Sequence, residues 1–141
     1  MSAKSIQTLI RLHEFEVDER RRRLGDLLRL VEALENQIVL LQEELRREQA
    51  TANASPEIAA FTYGNYAQTV IGRRAWIVSS VAKAEEEVLA AREDLRGAYQ
   101  ELKRYEIGKD INDRLDKAEL DRLERIVLDE IGLQGFRQRN R

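Results

Sequence analysis

His13 is the only histidine in this chain, and there is no cysteine. A metal site needs several nitrogen, sulfur or carboxylate ligands at fixed spacing, and one histidine with no second ligand one helical turn away does not supply them. The absence of cysteine also removes disulfides, thiol catalysis and cysteine-based zinc sites. Serines occur in helical surroundings with no histidine in a pattern that would activate them. Acids are plentiful, but they fall on charged faces where carboxylates are solvated. No strand leads into a glycine-rich phosphate loop. The residues therefore point to a chain that is not an enzyme and holds no cofactor.

The densest charge run is Arg20-Arg21-Arg22-Arg23. On a helix, four successive residues point in all directions, and Glu14, Glu16, Asp18 and Glu19 offset them within two turns. A solvated face with ion pairs is the first reading, and an acidic protein partner the second. With a net charge of −2 no global field draws the chain to nucleic acid.

These residues ride on helices. Charged residues make up 35% of the 141, aromatics 6%, and Pro56 is the one proline, a composition suited to long helices with charged outer faces. From Leu24 to Leu45, apolar residues fall at Leu24, Leu27, Val31, Leu34, Ile38, Leu41 and Leu45. Steps alternating three and four are the seam of a coiled coil, widened here by Leu28, Leu30 and Leu40. Backward the seam runs through Arg20, Val17, His13, Ile10 and Ile6. A polar residue at a seam position costs stability but fixes register, which is the reading for His13 and Arg20.

The first helix, capped by Ser2 or Ser5, spans about residues 4–49 and fades near Gln49. The turn covers about 50–57, with 65 as an outer limit. Ser55-Pro56-Glu57 offers a cap, a proline at the first helical position and an acid in the first turn. The second helix covers about 57–134, followed by a basic tail at 136–141. Its seam runs through Val70, Arg74, Ile77, Val81, Ala84, Val88, Ala91, Leu95, Ala98, Leu102 and Tyr105. Ala84, Ala91 and Ala98 recur every seven residues and suit close approach to larger residues of the first helix. The stripe slips near Gly108 and resumes as Ile111, Leu115, Ala118, then Leu120, Leu123, Val127 and Ile131.

One domain of two long helices around a short break predicts an all-α fold, an antiparallel coiled-coil hairpin with helix 2 longer than helix 1. A parallel homodimer is the rival. Pairing outward from the turn sets Leu45 opposite Tyr63–Tyr66 and Ile6 opposite residues 100–105, so helix 2 projects roughly 30 residues beyond its mate, taking one helical rise per residue on both sides. Leu120, Leu123, Leu128 and Ile131 on that projection are candidate partner contacts. So are Trp76 on an outward position and Leu41, Leu45, Phe61, Tyr63 and Tyr66 near the turn; the turn aromatics equally suit a cap over the seam. No run is apolar enough to cross a membrane, and the N-terminus lacks signal-peptide features, so a soluble cytoplasmic protein is expected.

The run AREDLRGAYQELKRYE (Ala91–Glu106), followed by RLERIVLDEIGLQGF (Arg122–Phe136), resembles the FliJ-type flagellar export proteins. Leu128-Asp129-Glu130 and Ala91-Arg92 with Lys103 carry most of the resemblance. Leu9, Leu12 and Glu16 at the start, and YAQTVIGRR (Tyr66–Arg74), are compatible with it. Gly97, Gly108 and the Arg-rich tail depart from the pattern. The resemblance implies a coiled-coil stalk that engages the hexameric flagellar export ATPase, promotes its ring assembly and binds the cytoplasmic domain of the export gate; some members escort export chaperones. It further implies that Leu120–Arg141 with Ile6–Val17 enter the ATPase ring, and that the turn end meets the gate. The expected place is the cytoplasmic face of the flagellar basal body, peripheral to the membrane only through partners. The alternatives are a scaffolding homodimer and the equivalent stalk of a virulence-type secretion system.

Overall fold

A computed structural model describes residues 2–54 and 56–140, with the side chains of 56–62 outside the description. The fold is all-α, a hairpin of two helices, α1 (Ala3–Ala54) and the longer α2 (Pro56–Arg139). Ser2 caps α1: its Oγ accepts the Ser5 N–H at 3.3 Å, and the Ile6 N–H donates to the Ser2 carbonyl at 3.1 Å. The cap expected at Ser55 lies outside the described residues.

Both helices outrun their expected ends. Through Ala50-Thr51-Ala52-Asn53-Ala54, α1 stays helical because alanine is the best helix former, and the Thr51 hydroxyl donates to the Arg47 carbonyl at 3.0 Å within it. At the other end α2 passes through Gly132 and Gly135, neither of which adopts a positive φ, and places Arg137 and Arg139 in its last turn. Cations there complement the helix dipole. The segment expected as a tail is helix as far as Arg139.

The chain divides into two compact units, Val17–Gly97 and Met1–Glu16 with Ala98–Arg141. In the first, Leu34 and Leu41 of α1 form a cluster with Ile77 and Ala84 of α2, and Val31, Ile38 and Val81 pack against it. Leu27 clusters with Val88 and Ala91. Moving back along α1 moves forward along α2, so the pair is antiparallel. Ala91, 2% exposed, and Ala84, 3% exposed, are the small residues that let the larger leucines of α1 sit close. Arg74, expected in the seam, is exposed; Val70 and Ile77 carry the seam on either side of it.

In the second unit Ile10, Ala98 and Leu102 are buried, and the rings of His13 and Tyr105 stack at 4.6 Å with an interplanar angle of 18°. With His13 opposite Tyr105, the start of α1 pairs further along α2 than expected. Half-buried positions continue through Lys109 to Asn112, and every described residue after Asn112 is exposed. α1 runs to Ala54 and α2 begins at Pro56, so the break is shorter than the sequence suggested. The seam thus continues through Lys109 and Asn112, both polar. Ile111 and Leu115, expected to resume it, are 53% and 64% exposed and lie on another face.

Candidate partner-binding surfaces

Helical spacing decides which side chains are free for a partner. At the turn end Leu41 is a seam residue, 6% exposed and packed in the core cluster. Leu45 and Tyr63 are half-buried, and the Phe61 side chain lies outside the described residues. Tyr66 is half-buried with its hydroxyl closed to water, and it has no partner in strict hydrogen-bond geometry. Desolvation, then the Glu44 carboxylate and more weakly Glu48, push its pKa up to about 12. The structure therefore gives Tyr66 a packing position, with a hydroxyl that water does not reach.

Trp76 is 67% exposed. Its indole stands at the rim of a groove lined by Leu30 and Leu34 of α1 and by Ser80, Lys83, Ala84 and Glu87 of α2. The Ser80 hydroxyl is turned inward, donating to the Trp76 carbonyl at 2.9 Å. Leu28, Leu30 and Leu40, which widened the α1 stripe in sequence, are all exposed; they do not belong to the seam. The groove that Leu30, Leu34 and Trp76 line was missed by sequence reasoning, because it depends on the cross-helix register.

On α2 beyond Asn112, Leu120, Leu123, Leu128 and Ile131 are exposed, as are Ile126, Val127, Leu133 and Phe136. No other described stretch leaves so many large apolar side chains uncovered, and clustered exposure of this kind marks an interaction surface. Leu133 and Phe136 were assigned to no surface in the sequence; the glycines on either side of them suggested a helix end, whereas the helix continues.

The charged faces are tied down locally. Arg22 pairs with Glu19 at 3.3 Å, Arg104 with Glu101 at 3.3 Å, Arg114 with Asp110 at 3.0 Å and Arg122 with Glu119 at 2.7 Å. Arg96 donates to Glu93 through both Nε and Nη2, which lowers the Glu93 pKa and raises that of Arg96. Such exposed pairs along one helix contribute little to stability, because water screens them. Among the described residues no cluster of three or more potential metal ligands exists, and no helix is long and apolar enough to cross a membrane.

The fold is thus two long helices, the longer of which carries a stretch of exposed apolar residues. The sequence model of the flagellar FliJ protein family matches residues 2–141, and the chain belongs to that family. Two relatives named flagellar FliJ protein, from two strains of Caulobacter vibrioides (NA1000/CB15N and ATCC 19089), are each 29% identical over 99 residues, 70% of this chain and 70% of theirs. No solved structure matches.

Proposed function

We propose that this protein is a non-catalytic coiled-coil stalk of the flagellar type III protein export apparatus, promoting assembly of the export ATPase ring and coupling it to the export gate. The observation that supports it is the α2 extension, whose exposed Leu120, Leu123, Leu128 and Ile131 need a protein surface to cover them. A helix with uncovered apolar residues on more than one side fits an enclosing partner better than a single flat one. On this reading the extension and the start of α1 engage the hexameric ATPase at the cytoplasmic face of the basal body. Leu45, Tyr63 and Tyr66 near the turn, with Trp76 further along, face the gate. Escort of export chaperones falls to the same exposed residues. The match to a flagellar family favours the flagellar system over a virulence-type one.

The test is ATP turnover and ring assembly of the cognate export ATPase with and without the protein. Faster turnover with hexamers forming is the expected result. Unchanged turnover with a folded, helical protein would remove the ATPase from the function and leave a scaffold.

A further inference from the structure

In proteins most helical stability comes from packing an amphipathic face, and propensity alone leaves a helix marginal in water. The two parts of α2 differ in this respect. Up to Leu102 its seam is packed: Ile77, Ala84, Val88, Ala91, Ala98 and Leu102 are each 9% exposed or less. Beyond Asn112 every described residue is exposed, so no tertiary burial within the chain supports the helix there.

Local interactions do not replace what burial supplies to the seam. Arg114 pairs with Asp110 at 3.0 Å and Arg122 with Glu119 at 2.7 Å, exposed pairs that water screens. Asp113, Asp116, Asp121 and Asp129 are poor helix formers, and Ile126, Val127 and Ile131 lose side-chain freedom in a helix. Gly132 and Gly135 are weaker still. A Cβ added at either would meet nothing within 4 Å, so no contact requires a glycine there. The stretch is nonetheless continuous with the packed part of α2. The helix nucleus is therefore already formed, and each residue beyond Asn112 only propagates it. Propagation is close to balanced even for good helix formers, and glycine tips it toward coil.

We propose that α2 beyond Asn112 is an order–disorder element. In the free chain its helix opens and re-forms independently of the α1–α2 seam, and Gly132 and Gly135 set how far order extends. The inference goes beyond the stalk reading and does not depend on it. Its consequence is that a surface gripping Leu133, between the glycines, or Phe136, just after them, must also complete the helix. The glycines weaken that grip while leaving the seam untouched.

Amide hydrogen exchange of the full chain, resolved residue by residue, tests this together with circular dichroism. Amides of Leu27–Leu41 and Ile77–Ala91 should exchange only through global opening. Protection should decline beyond Asn112, to about tenfold or less past Gly132. Helical signal should fall gradually on warming, ahead of the cooperative step of the seam. Replacing one helical glycine by alanine shifts the helix–coil balance roughly fivefold. Gly132→Ala with Gly135→Ala should therefore raise protection from Leu133 to Arg139 by about that factor or more, with the seam's melting midpoint unmoved. Amides beyond Asn112 as slow as those of the seam, or helix lost in one cooperative step, overturn the proposal. So does an alanine pair that leaves protection past Gly132 unchanged or shifts the seam's midpoint.

Discussion

Gly97 and Gly108 sit inside α2 with ordinary helical backbone, and a Cβ added at either would meet nothing within 4 Å. Glycine in a helix interior is about 1 kcal/mol worse than alanine, because the unfolded chain loses more freedom on folding. Nothing in the structure offsets that cost, so Gly97→Ala and Gly108→Ala should each stabilise the chain by about 1 kcal/mol. The sites are roughly 16 Å apart along the helix and share no partner, so the pair should add to about 2 kcal/mol. For a chain of this size that raises the midpoint of thermal unfolding by roughly 4–8 °C. Circular dichroism at the helical band during thermal and urea unfolding measures both values. An unchanged or lowered midpoint would refute the argument, since it would require a contact or a backbone state at these glycines that the structure does not contain.

Two further substitutions probe the seam and the turn end. Leu34→Ala removes a 9%-exposed leucine from the central cluster and should cost about 2–3 kcal/mol, the low end of the range because a two-helix seam can partly close; urea unfolding checks it. Tyr66 should ionise near pH 12 instead of 10. Its raised pKa means that the fold prefers the neutral phenol. That contribution is complete below pH 10 and is lost as pH climbs through 12. Tyrosinate absorbance should show this late step, Tyr66→Phe should remove it, and complete titration by pH 10.5 would sink the assignment.

The seam was readable because its signal is redundant. Leu27, Leu34 and Leu41 lie one heptad apart, as do Ala84, Ala91 and Ala98, and all are buried. Each confirms the next, so the helices followed from spacing, while their antiparallel order was inferred from the short break between them. Register was not readable in the same way. It depended on the length of the turn, and the stretch from Ala50 to Ala54 looks like a linker by composition yet has the propensity of a helix. Composition did not disclose that α1 continues to Ala54, and spacing did not disclose that His13 meets Tyr105 and not a residue nearer the turn. The groove that Leu30, Leu34 and Trp76 line was hidden in the same way. Past Gly108 the apolar pattern misled for a separate reason: Ile111 and Leu115 are the larger hydrophobes, but the seam runs through Lys109 and Asn112. Hydrophobicity locates a buried face only while burial is what selected the residues.

That polar interval explains how the hairpin knows where to stop. The His13 Nδ1 is closed to water with no hydrogen bond, and the Glu16 carboxylate lies 3.5 Å away, short of proper geometry. Burying such an atom costs free energy that a leucine pair would not. The stack on Tyr105 returns part of it and does so only when the two rings coincide. A slip of one heptad would bring His13 against Ala98 or Asn112 and forfeit the stack, so the polar pair lowers stability while penalising the wrong registers. Lys109 and Asn112 act in the same direction by offering the start of α1 a poor apolar surface. Had the seam stayed leucine-rich from Leu102 to Ile131, the extension of α2 would find favourable partners in every shifted alignment of α1. Separated by that polar interval, the row from Leu120 to Ile131 stays free of its own chain and available to another.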